Sequence, residues 1–128
     1  MEKQIIYNSN LHFEHEIWRR ELFFWQDELI IFNNRLSELV TRWTKKEILK
    51  QLDHFQNEFI LHGGVIEDLL EEMQIHEARM ADQDLLSHDA MDTTMVKKHM
   101  EFRKKMEIQE EIYTGLKREF FRFLTKHL

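Results

Sequence analysis

The sequence predicts an all-α protein, an elongated antiparallel three-helix up-down-up bundle, and three observations carry that expectation. The 128 residues include no proline and only three glycines, so the usual residues of turns and loops are nearly missing. Hydrophobic residues make up 42% of the chain and aromatic residues 12%, enough to fill the core of the single domain, 1–128, that this length implies. Apolar residues recur in alternating steps of four and three along three long stretches, the period of helices that pack side by side.

The first stretch runs through Leu11, His15, Trp18, Leu22, Trp25, Leu29, Phe32, Leu36 and Leu39, and sets a helix over about 9–42. The segment TKKE, Thr44 to Glu47, has the form of a capping box and so starts a second helix at about 45. Its stripe continues from Ile48 through Phe59, His62, Ile66 and Met73 to Met80, and dissolves in ADQDLLSHDAMD, which ends the helix near 82. Asp89 or Asp92 can start the third helix, about 90–126, whose stripe runs from Met95 through His99, Phe102, Gln109 and Tyr113 to Phe123. Gly63-Gly64 could break the second helix and make four, but the half-length pieces would match neither long neighbour.

Composition excludes several functions. With no cysteine there is no disulfide, thiolate ligand or cysteine nucleophile. The net charge is −6, and residues 1–88 hold 9 basic and 17 acidic side chains against 9 and 7 in residues 89–128. An acidic body with only a mildly basic last helix argues against nucleic acid. The first residues lack the apolar stretch of a signal peptide and no apolar run can span a bilayer, so a soluble, cytoplasmic protein without membrane contact is expected. There is no Gly-rich phosphate loop and no Ser/His/Asp arrangement, so an enzyme is not the expectation.

Eight histidines are many for this length, and His15, His62, His76 and His99 fall on core stripes. Folding the chain back at turns near 43 and 86 brings His12, His15, Glu72, His76 and His99 to one end of the bundle. Imidazoles and a carboxylate projecting inward from three helices are the ingredients of a zinc or non-haem iron site. The same residues also suit an alternative, neutral hydrogen-bonded core histidines with no metal. His62 falls level with Gln109 and should bond to it or to a nearby carboxylate, whereas His54, His88 and His127 are expected to face solvent.

The spacing His54-x-x-x-Glu58 resembles one fragment of the hemerythrin-like di-iron bundles, and that resemblance implies a ligand role for His54 and Glu58. It covers five residues; the His-x-x-x-His and the His followed five residues on by aspartate that accompany it in those bundles are absent here. More broadly, HFEHEIW, HFQNEFI and FFRFL are similar to segments of small bacterial helical-bundle proteins, which implies the fold and no particular activity.

A final excess is apolar. Ile17, Phe23, Phe24, Ile30 and Ile31 on the first helix and Ile60 and Leu61 on the second lie outside the core stripes and are expected to form one exposed belt at mid-length. Gly64 lies beside Ile60 and Leu61, where a missing side chain lets another helix approach. The first functional expectation is therefore a non-enzymatic bundle that acts by association, as a homodimer closed through this belt or with a second protein. The alternative is a metal-binding bundle using His15, His76 and His99 with Glu72 or His12, and zinc or iron as its cofactor.

Overall fold

The structure is a computed structural model that describes residues 8–87 and 93–127. It consists of three helices, α1 (Asn8–Arg42), α2 (Lys46–Ser87) and α3 (Thr93–Lys126), and the described residues include no strand. The all-α bundle is the architecture observed. The second turn, with His88, Asp89 and Asp92, lies outside the described residues, and α2 extends five residues past the expected end at 82.

The buried side chains fall on the alternating four-and-three stripes of all three helices, from Leu11 to Leu39, Ile48 to Met80 and Met95 to Phe123. Five of them are polar: His15, His62, His76, His99 and Gln109. The reversal between α1 and α2 occupies Trp43–Lys45. The Leu49 N–H bonds the Lys45 carbonyl at 3.0 Å, so α2 begins one residue after the capping-box register that Thr44 implied.

Contacts between helices come at three levels. His15 lies against His76 and His99, with ring centroids 4.9 and 5.0 Å away. Phe32 packs on Phe59 at 5.8 Å and Phe120 at 5.5 Å, and Trp43 meets His127 at 5.8 Å. Trp25, 5.3 Å from Tyr113, fills the core between the first two levels, and at the second Phe59 is edge-on to Phe120 at 4.9 Å.

α2 passes unbroken through Gly63 and Gly64. Each glycine costs a helix about 1 kcal/mol relative to alanine. Phe59, Ile66 and Leu69 on either side are all buried, and each such side chain returns roughly 1.5–3 kcal/mol on burial, so continuity wins.

Candidate metal centre

The three core histidines at one end of the bundle come together. His15 on α1, His76 on α2 and His99 on α3 are 0%, 6% and 0% exposed, and one ring nitrogen from each lies within 4.8 Å of the others. Each helix contributes one imidazole because each stripe carries a histidine at the same level of the core. Trp18 lies over the group, 5.0 Å from His99 and 5.6 Å from His15.

Carboxylates hold the outer nitrogens. His15 Nδ1–H donates to Glu77 Oε1 at 2.7 Å, and Glu77 also takes His12 Nδ1 at 3.0 Å. His99 Nε2–H donates to Glu14 Oε1 at 2.8 Å, and the Arg103 guanidinium grips the same carboxylate, Nε lying 3.1 Å from Oε2. Burial alone would raise the Glu14 carboxyl, but the bonds from Arg103 and His99 outweigh it and hold the group below its ordinary range.

These bonds settle which way the imidazoles face. A carboxylate only accepts, so His15 must donate from Nδ1 and His99 from Nε2. The remaining nitrogens, His15 Nε2 and His99 Nδ1, then meet at 3.2 Å with a lone pair on each. His76 Nε2 is buried with no hydrogen-bond partner. Two acceptor nitrogens therefore face each other beside the unpartnered nitrogen of His76, and a proton or a cation between them would relieve the contact.

Burial lowers the pKa of all three rings. For His76 the desolvation is joined by the charges of His15 and Arg79 and takes the ring down to about 4. His15 and His99 are lowered by burial too, with the bonds to Glu77 and Glu14 pulling partly the other way. Burial thus favours the neutral form of the rings, the form with the lone pairs a metal needs.

The structure places the two other expected ligands outside the group of three. Glu72 does not join the histidines: it takes Lys105 Nζ at 2.8 Å on the side facing α3. His12 lies one layer out, bound to Glu77 and not directed at the group. Glu77 and Glu14 supply the carboxylates, and neither stood out in the sequence. The available signal was adjacency, since Glu14 precedes His15 and Glu77 follows His76 on helix flanks that face a neighbour.

The other histidines separate cleanly. His62 Nδ1 accepts from Gln109 Nε2 at 3.1 Å and its Nε2 lies 3.4 Å from Glu58, as its level had implied. His54 is exposed on the outer face of α2, and neither it nor Glu58 reaches the group of three. His127, expected in solvent, is half-buried against Phe123 and Trp43.

Ile17, Phe23, Phe24, Ile30, Ile31, Ile60 and Leu61 are all exposed, and an added Cβ at Gly64 would meet nothing within 4 Å. Phe23 and Phe24 face different neighbours. Phe23 lines a cleft between α1 and α2, whereas Phe24 lies 5.8 Å from Lys117 on the α3 side. Polar Arg20, Asp27 and Asn34 run between those two edges of α1, because neighbouring residues on a helix point about 100° apart. Among the described residues no helix is long and apolar enough to cross a membrane. Comparisons with protein-family models, curated proteins and solved structures found no match.

Proposed function

We propose that this chain is an up-down-up helical bundle that binds one transition-metal ion, of the zinc or non-haem iron class, through His15, His76 and His99. The reading rests on one observation: a ring nitrogen from each of three buried histidines falls within 4.8 Å of the others, while carboxylates fix the outer nitrogens of two of the rings and turn their lone pairs toward each other. Outer carboxylates of this kind orient metal-bound histidines and raise their basicity. A tetrahedral zinc with bonds of 2.0–2.1 Å needs ligand nitrogens about 3.4 Å apart, so the 4.8 Å limit of the group closes with a shift of about 1–1.5 Å. The up-down-up order is supported by the two levels at which all three helices meet, His15 with His76 and His99 and Phe32 with Phe59 and Phe120, where residue numbers on α2 fall as those on α1 and α3 rise.

The test is metal analysis of protein purified without a polyhistidine tag. One equivalent of zinc or iron per chain is expected, with less than a tenth of it retained in His15→Ala or His99→Ala. Wild-type protein that holds no metal after incubation with either ion and desalting would sink the reading.

A second reading, self-association as a homodimer, is favoured by the exposed apolar side chains, of which Ile30, Ile31, Ile60 and Leu61 are each more than half exposed at mid-length. It is compatible with the first, because the histidines lie at one end of the bundle and these residues at its middle. Sedimentation velocity at micromolar concentration should give the mass of two chains; a clean monomer contradicts it.

A further inference from the structure

We propose that the bound metal keeps one coordination position open toward the cleft between α2 and α3, and that this position takes an exchangeable small anion. The inference rests on the metal reading above and adds a ligand class to it.

The protein supplies three donors and, among the described residues, no fourth. His12 and Glu77 are committed to the outer side of His15, Glu14 to the outer side of His99, and Glu72 to Lys105. The histidine group is closed along the bundle axis. Trp18 and Phe102 pack on it from the side of the middle, and one helical turn the other way lie Leu11, Met80 and Met95, a separate buried apolar layer. Three nitrogen ligands with a fourth position left for solvent or substrate is the coordination of zinc sites that do chemistry, as distinct from closed structural sites.

His76 is the member of the group that borders the cleft between α2 and α3. This ring is 6% exposed, its Nε2 has no partner, and it lines an open cleft of about 420 Å³ between α2 and α3. The charges along the cleft are sorted by position. Arg79 lies one turn from His76 and Lys98 precedes His99, and both are close enough to bear on the His76 ring. The carboxylates Asp68, Glu71 and Glu72 line the part that runs toward the middle of the bundle, with Glu101 on α3 opposite. An anion that reaches the metal thus has two cations beside it, and the acidic stretch disfavours a longer anionic chain extending toward the middle.

The probe is cobalt(II)-loaded protein, whose visible absorption reports coordination, titrated with azide. One cobalt per chain, a saturable change in the visible bands with azide, and azide binding weakened roughly tenfold in Arg79→Ala/Lys98→Ala are expected. Both side chains are on the surface, so the variant retains the fold; Arg19→Ala, on the α1/α2 cleft, should bind azide as the parent does. Cobalt bound one to one with bands that azide leaves unchanged overturns the open position and leaves the metal reading standing. Azide binding undiminished in the double variant overturns the assignment to this cleft. Failure of cobalt, zinc and iron alike to bind overturns the metal reading and this inference with it.

Discussion

The chemistry of the histidine group is decided at single residues, by which nitrogen of each ring is already committed. Glu14 fixes the His99 ring by accepting from Nε2 and is itself held by Arg103, so its contact with the group of three is through His99. Glu14→Gln can still bond the ring but removes the charge, and is expected to weaken zinc binding about 10–100-fold in a competition titration, with little change in helix content. Equal affinity in the two proteins would count against the role. In metal-free protein the same burial makes stability depend on pH. His15, His76 and His99 have folded pKa values below the ordinary value of about 6.5, so below that pH the unfolded chain binds more protons than the folded one. Their contribution is complete above about pH 6.5 and is lost as pH falls, for His76 down to about 4, a window worth roughly 3 kcal/mol for that one ring. The urea midpoint of metal-free protein should fall between about pH 7.5 and about pH 5. A midpoint that holds steady shows that the rings are not buried as described.

At the scale of elements, a strict four-and-three rhythm governs all three helices and left little for the structure to alter. The stripe read from the sequence is the buried stripe, down to His15, His62, Gln109 and the other polar members. The rhythm was legible because a side chain's place on its own helix is local geometry. Helix ends were less so: Thr44 looked like the cap, yet the first turn of α2 forms one residue later. Gly63 and Gly64 lie between core positions, where an added methyl group meets nothing within 4 Å. Gly64→Ala should therefore stabilise the protein by about 0.5–1 kcal/mol through loss of unfolded-state freedom, a thermal midpoint higher by about 2–6 °C. A lower midpoint would mean that another helix already packs close over that point.

At the scale of the whole molecule, two features compete to explain why the chain exists in this form, an interior polar group at one end and apolar side chains around the middle. Ile31→Glu combined with Ile60→Glu changes only exposed positions. It should turn a sedimenting dimer into a monomer while leaving one metal per chain. Loss of metal together with the dimer would show that the group of three needs the second chain. By itself the sequence determined the helical class, the stripe of each helix and the gathering of His15, His76 and His99 at one end of the bundle, because these follow from residue spacing along regular helices folded back at two turns. The tertiary structure alone decided that Glu77 and Glu14, and not Glu72, bond the outer nitrogens, and that Phe23 faces α2 while Phe24 faces α3. Both depend on which flank of a helix faces which neighbour, and a spacing along one chain carries no record of that.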